Sequence, residues 1–153
     1  EALAMSDQIA VMQSGRIAQM DAPEALYSQP VSAYVADFVG SANLLALDSV
    51  GDGVAQVGGQ SLQVDTRAAA TTGPHQLVLR AETLVLRPGH DTRPANALAA
   101  TLTGRQYLGA KTLCRVALAH GPVLQVDVPG LPTHQPGDAL WLQVPASSRV
   151  ISQ

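Results

Sequence analysis

The sequence holds a single cysteine, Cys114. One thiol excludes a disulfide within the chain and any thiolate metal cluster, and it is compatible with a reducing compartment. Aromatic side chains are nearly as scarce: Tyr27, Tyr34, Phe38, Tyr107 and Trp141 are all of them, and three fall before residue 40. No ring platform for stacking bases or sugars can be assembled from that set. Charged residues make up 14%, with 12 acidic against 9 basic for a net charge of −3. That balance leaves no electrostatic footprint for a polyanion, so a nucleic-acid partner is not expected. No apolar run approaches the roughly 18 residues of a membrane-spanning helix, and the N-terminus lacks the charged-then-apolar pattern of a signal peptide. What remains is 153 residues with 46% hydrophobic content, enough for one modest domain with a short extra segment.

Two regions differ in character, with a boundary placed near Ser41 to Asn43. The opening Glu1-Ala-Leu-Ala-Met-Ser-Asp7 is rich in helix formers and reads as a helix cut at its start; with no initiating methionine, it points to a larger parent protein. Ile9 to Met12 and Arg16 to Met20 flank Gln13-Ser-Gly15, as a β-hairpin requires. Asp21-Ala-Pro-Glu24 fits a helix start, with Asp21 as the cap and Pro23 in the first turn, and that helix ends near Ser28. Val31, Tyr34, Val35, Phe38 and Val39 then recur at helical spacing before Gly40, predicting one buried face that still needs a partner. From Leu44 onward the pattern changes to short alternating segments. Strands are expected at Leu44 to Val50, Val54 to Val57, Ser61 to Asp65, Gln76 to Arg80, Thr83 to Arg87, Leu98 to Tyr107, Thr112 to Ala119, Val123 to Val128, Ala139 to Val144 and Arg149 to Ile151. About ten short strands argue for a mainly β architecture closed into small barrels, which hides edge amides. Leu62-Gln-Val-Asp65 recurs as Leu124-Gln-Val-Asp127, a candidate internal repeat set against chance in an alternating alphabet.

No catalytic constellation emerges. His75, His90, His120 and His134 lie far apart near turns, without metal-ligand spacing, and read as surface loop residues. Cys114 sits in a strand-like run and reads as a buried structural thiol rather than a nucleophile. Asp52, Asp91 and Asp138 occupy turn positions where Asp bonds its own backbone. Gly51-Asp-Gly53 and Gly58-Gly59 carry neither the Lys and Ser/Thr of a phosphate loop nor the helix that follows one. One charged cluster stands inside an apolar strand pair, Arg80-Ala-Glu82 between Leu77-Val-Leu and Leu84-Val-Leu. Arg80 and Glu82 are therefore the candidate regulatory ligand residues, since Arg presents a fork suited to anions. The competing reading is an Arg–Glu pair at a strand kink.

The early motifs, Glu1 to Met12, Gly15-Arg-Ile-Ala-Gln19, Pro23-Glu-Ala-Leu-Tyr-Ser-Gln-Pro30 and Tyr34-Val-Ala-Asp-Phe-Val-Gly-Ser-Ala-Asn43, resemble the end of the nucleotide-binding domain in ABC importer ATP-binding subunits of the maltose, polyamine and ferric-iron group. Leu77 to Leu86, Tyr107-Leu-Gly-Ala110 and Pro136-Gly-Asp138 resemble the OB-like TOBE domain attached to such ATPases. The family's usual Pro after the arginine is Ala81 here, which leaves the kink less rigid. The resemblance implies a division into residues 1–43, the end of the nucleotide-binding domain, and 44–153, a TOBE regulatory domain. It implies ATP and magnesium in the parent protein, with the phosphate loop, signature motif, acidic strand and switch histidine all upstream of Glu1, so no ATP site and no cofactor in this stretch. It further implies a second copy and transmembrane permease subunits as partners, at the cytoplasmic face of the inner membrane. A lean toward ferric iron or polyamine uptake follows from the wording of the early motifs. A free-standing small-ligand or oxyanion-binding TOBE module is the alternative.

Overall fold

The computed structural model describes residues 7–152 apart from 41, 71 and 120. The expected opening helix, save Asp7, and His120 lie outside the described residues. Strands β1 (Ile9–Gln13) and β2 (Arg16–Asp21) form the expected hairpin, but the connection is two residues rather than three: Gln13 pairs with Arg16. Ser14 and Gly15 both take positive φ, 52° and 78°, the mirror-image turn whose twist matches that of paired strands.

Helix α1 (Pro23–Ser28) follows at once, with Pro23 in its first turn. Its cap is Ala22 and no side chain caps it. Asp21 instead remains in β2, where its carboxylate accepts a hydrogen bond from Gln19 Nε2 at 2.9 Å. Helix α2 (Ala33–Phe38) is capped by Ser32, whose hydroxyl accepts from the Val35 amide. Its predicted face is only half covered. Val35 is fully buried against Val11 and Leu26, with Val39 packed alongside, whereas Val31, Tyr34 and Phe38 stay exposed. The Tyr34 and Phe38 rings stack on each other at 6.0 Å on the open side.

The β region has eleven strands among the described residues. β3 (Ala42–Ala46), β7 (His75–Arg80) and β13 (Val150–Ser152) form one antiparallel sheet in the order β13-β7-β3. β4 (Ser49–Gly51), β5 (Val54–Val57) and β6 (Gln60–Gln63) form a small meander. β8 (Val85–Pro88), β9 (Ala97–Tyr107), β10 (Lys111–Leu118), β11 (Val123–Pro129) and β12 (Ala139–Gln143) make the largest sheet, ordered β11-β10-β9-β12-β8. This sheet curls into a half-barrel, with a bulge between Arg115 and Val116 accentuating the bend. The ladder does not run round continuously, so the expected closed barrel is completed by packing of three separate sheets over a shared core. That core gathers the inward residues of every strand: Leu45, Leu62, Leu77, Leu79, Leu102 and Leu142 are almost wholly buried.

Leu62-Gln-Val-Asp65 and Leu124-Gln-Val-Asp127 share inward-facing apolar residues, but one ends the small meander and the other lies on the edge strand of the half-barrel. The likeness is one of alternation and not of place in the topology.

Candidate functional site

β7 is buried on both faces. Leu77 and Leu79 enter the barrel core, and the alternate residues Val78 and Arg80 face the helical segment. Val78 joins Ala36 and Ile151 in a small apolar cluster at the seam between the two regions. Arg80, 6% exposed, finishes the strand there.

Its guanidinium meets the carbonyls left over at two helix ends. Nη1 donates to Ala36 O at 2.8 Å and to Gly40 O, and Nη2 donates to Tyr27 O at 3.1 Å. The group also lies 4.4 Å from the centre of the Tyr27 ring. Last-turn carbonyls carry the negative end of the helix dipole and lack internal donors. Neither α1 nor α2 has a basic residue in its last turn. Arg80, more than forty residues along the chain, supplies the positive charge for both. Burial pulls its pKa down, and the Asp37 carboxylate opposes that shift.

Glu82 is elsewhere. The chain turns through a 3₁₀ segment, Ala81–Thr83, closed by the Thr83 hydroxyl donating to Arg80 O at 2.8 Å. Glu82 is exposed and lines a separate groove with Val85, Asp127, Leu131 and His134. Arg80 and Glu82 form no ion pair among the described residues, so the expected kink pairing is not what the arginine does.

Arg80 also lines a cavity of about 300 Å³ between the end of α1 and the β7–β13 edge. Tyr27 and Gln29 form its helical wall; Asp65, Arg67, Ser147 and Arg149 belong to the β side. Asp65 is gripped by Arg67 at 2.8 and 2.9 Å, and those hydrogen bonds lower its pKa to about 2. The Nε atoms of Arg80 and Arg149 are both buried without a partner.

The remaining candidates stay apart. Cys114 is fully buried in the core, and burial raises its pKa, which suits a structural thiol. His75 is not a loop residue: it opens β7, half-buried, and its Nε2 lies 2.7 Å from Ala70 O. His90 sits on the surface 3.4 Å from Asp91, and His134 lies in the loop before β12. Among the described residues no group of three or more His, Cys, Asp or Glu could hold a metal. Gly51-Asp-Gly53 and Gly58-Gly59 are hairpin turns between β4, β5 and β6, and among the described residues no helix follows either of them directly.

Three polar residues that sequence reasoning did not single out hold the parts together. Gln19, 8% exposed, donates to Gln29 O and accepts from the Val31 amide, fixing the loop between the helices to the hairpin. Asn96, at φ 58°, donates to Gln63 O and Val144 O and accepts from Gln63 N. Asn43 bonds both main-chain groups of Gln125 at 2.7 and 2.9 Å. The only sequence signal for any of them is a side-chain amide amid apolar alternation.

A half-barrel of antiparallel strands, with a short helical segment packed on β7 through Arg80 and the Val78–Ala36–Ile151 cluster, defines an OB-like β module. Residues 77–151 match the TOBE domain family. The chain is 36% identical over 131 residues to the Fe(3+) ions import ATP-binding protein FbpC of Brucella abortus, covering 83% of this chain and 36% of that protein. It is 38% identical over 160 residues to the spermidine/putrescine import ATP-binding protein PotA 2 of Pseudomonas aeruginosa, covering 94% and 41%. Among solved structures, the cytoplasmic molybdate-binding protein ModG shares the fold at TM-score 0.52 and 16% identity, over 72% of this chain and 96% of that one. The chain spans a little over a third of the length of the curated relatives it matches. The curated relatives it matches are import ATP-binding proteins, and the part of the chain from 77 to 151 is similar to the TOBE domain family.

Proposed function

We propose that the chain is the C-terminal regulatory part of an ABC importer ATPase subunit that powers solute uptake, with ferric iron or a polyamine as the substrate class. The observation that carries this reading is the similarity to import ATP-binding proteins over 83% and 94% of the chain. Residues 1–43 are the end of the ATP-binding domain and 44–153 the regulatory domain. ATP and magnesium belong to the parent protein, whose partners are a second copy and the permease subunits at the cytoplasmic face of the inner membrane. Among the described residues no helix is long and apolar enough to cross a membrane.

Regulation of this kind needs an element whose arrangement differs between the states of the ATPase. The Arg80 contact supports such a role, because one β-domain side chain binds carbonyls on both helices of the segment nearest the ATP-binding domain. The test is to read the coding sequence upstream of Glu1. An ATP-binding domain with a phosphate-binding loop is the expected result, and a start codon adjacent to Glu1 would overturn the reading. A free-standing ligand-binding module would then lead, supported by the arginines around the seam cavity.

A further inference from the structure

We infer that the groove between β8 and the end of β11 is a docking site for an extended, positively charged segment of a partner protein, which adds to the half-barrel as a further strand on β8. The inference goes beyond the importer reading and does not rest on it, because the groove is built wholly from described residues of the β region.

β8 and β11 are the two outermost strands of the five-stranded sheet, and the curl of that sheet brings the end of β11 opposite residues 82–86. On its side away from β12, the main chain of β8 is open. Gly89 donates to Ala139 O at 2.9 Å and Val144 donates to Asn96 O at 2.8 Å. By the alternation of an antiparallel ladder, the odd-numbered residues of β12 then bond to β8 and the even-numbered ones to β9. Leu86, opposite Leu142, therefore turns its N–H and C=O away from β12, and among the described residues no loop or side chain takes them. The next residue facing that way, Pro88, has no N–H, and its carbonyl accepts from Asp91 at 3.2 Å, so the open stretch is short. An unpaired edge of this kind is a template for an added strand.

The groove decides which strand. It holds about 490 Å³, and Val85 and Leu131 stand 43% and 59% exposed along it, apolar surface without cover. Its lining includes the carboxylates of Glu82 and Asp127 and no Lys or Arg. Lys111 engages Asp127 at 3.2 Å, whereas Glu82 has no ion-pair partner among the described residues. Charge complementarity selects a segment with Arg or Lys beside apolar residues, and an acidic strand would meet like charge. The far wall is built in advance. Arg105 Nη1 donates to Pro132 O and His134 O at 3.0 and 2.8 Å, and the Thr112 hydroxyl donates to Gly130 O at 2.6 Å. A wall fixed before binding spares the cost of ordering it.

The experiment follows the amide resonances of the full 153-residue chain during titration with a blocked pentapeptide of three valines flanked by arginines, at constant low ionic strength. Three controls accompany it: the same peptide ending in glutamates, the same peptide with its valine nitrogens methylated, and argininamide alone. Saturable shifts at residues 82–86 and 127–134 are expected, with a Kd below about 1 mM. The glutamate-ended and methylated peptides should bind at least tenfold more weakly, since one meets like charge and the other cannot pair with Leu86. Glu82→Gln, in an exposed turn, and Leu131→Ser, in an exposed loop, should each raise the Kd at least fivefold. The proposal is overturned by a response that does not saturate up to about 5 mM, by shifts confined to another face, by undiminished binding of either control peptide, or by folded variants that bind as the parent does. Argininamide binding as tightly as the pentapeptide would make the groove a site for a small cation and overturn it too. So would a concentration-dependent dimer that Leu131→Ser abolishes, which would give the groove to a second copy.

Discussion

Replacing Arg80 by Met keeps most of the stem and removes the guanidinium, with its hydrogen bonds to Tyr27, Ala36 and Gly40. Hydrogen bonds from a charged donor contribute about 1.5–3 kcal/mol each. Three give a gross loss of about 4.5–9 kcal/mol, from which the desolvation of a buried cation without a carboxylate must be subtracted, several kcal/mol in its own right. The ring contact with Tyr27 adds about 0.5–2 kcal/mol to the loss. A net destabilisation of about 3 kcal/mol follows, which for a chain of this length lowers Tm by roughly 6–12 °C. Arg80→Lys should fall between, since one ammonium cannot span carbonyls on two helices. Urea denaturation gives the stability, and limited proteolysis locates it: cleavage between residues 23 and 40 should rise before the β region opens. An Arg80→Met chain with an unchanged denaturation midpoint and no added cleavage there would refute the assignment of Arg80 as the tie between the regions.

Asp65 has an ordinary pKa of 3.8 and a native value of about 2, so its contribution to stability is fully present above about pH 4 and is lost as the pH falls toward 2. Asp65→Asn should therefore lower stability in the neutral region, where that contribution is fully present, and flatten the acid limb of a stability-versus-pH curve between about pH 4 and 2, so that the two proteins converge in acid; an identical acid limb would contradict the pairing with Arg67. Cys114 is fully buried, so a thiol reagent should modify the native chain only as fast as the core opens, with rapid reaction in denaturant; fast labelling of the native chain would show the core assignment to be wrong. Gly89 has no room for a side chain, because a Cβ there would sit 2.6 Å from the Ala139 carbonyl carbon. Gly89→Ala should cost about 1–3 kcal/mol in chemical denaturation, and a neutral result would mean that β8 and β12 separate more easily than their pairing indicates.

The strand pattern was legible because period-two alternation survives wherever one face meets a core: the expected Val54 to Val57 and Ala139 to Val144 lie within a residue of β5 and β12. Two boundaries shifted for local reasons. Leu44 to Val50 is two strands, since the Asp48 carboxylate takes the Gly58 amide and bends the chain, and Thr83 belongs to the 3₁₀ turn Ala81–Thr83, closed by its hydroxyl on Arg80 O. Arg80 was visible as a charge in an apolar run, but its partners were not, because they are main-chain carbonyls about forty to fifty residues away that carry no sequence signature. The α2 face was overstated for a related reason. Periodicity records which side chains need cover, and only Val35, Val39 and their neighbours find it within the described residues.

The side-chain amide of Asn43 bears on how copies of this chain can meet. β11 is the outermost strand of the half-barrel, and an outermost strand ordinarily invites another chain to extend it. Here the carbonyl and N–H of Gln125 are both taken by one side chain, as a neighbouring strand would take them. A newcomer must evict Asn43 before it can lengthen the ladder past that point. Asn43 thus acts as a stopper on sheet growth past Gln125 on β11.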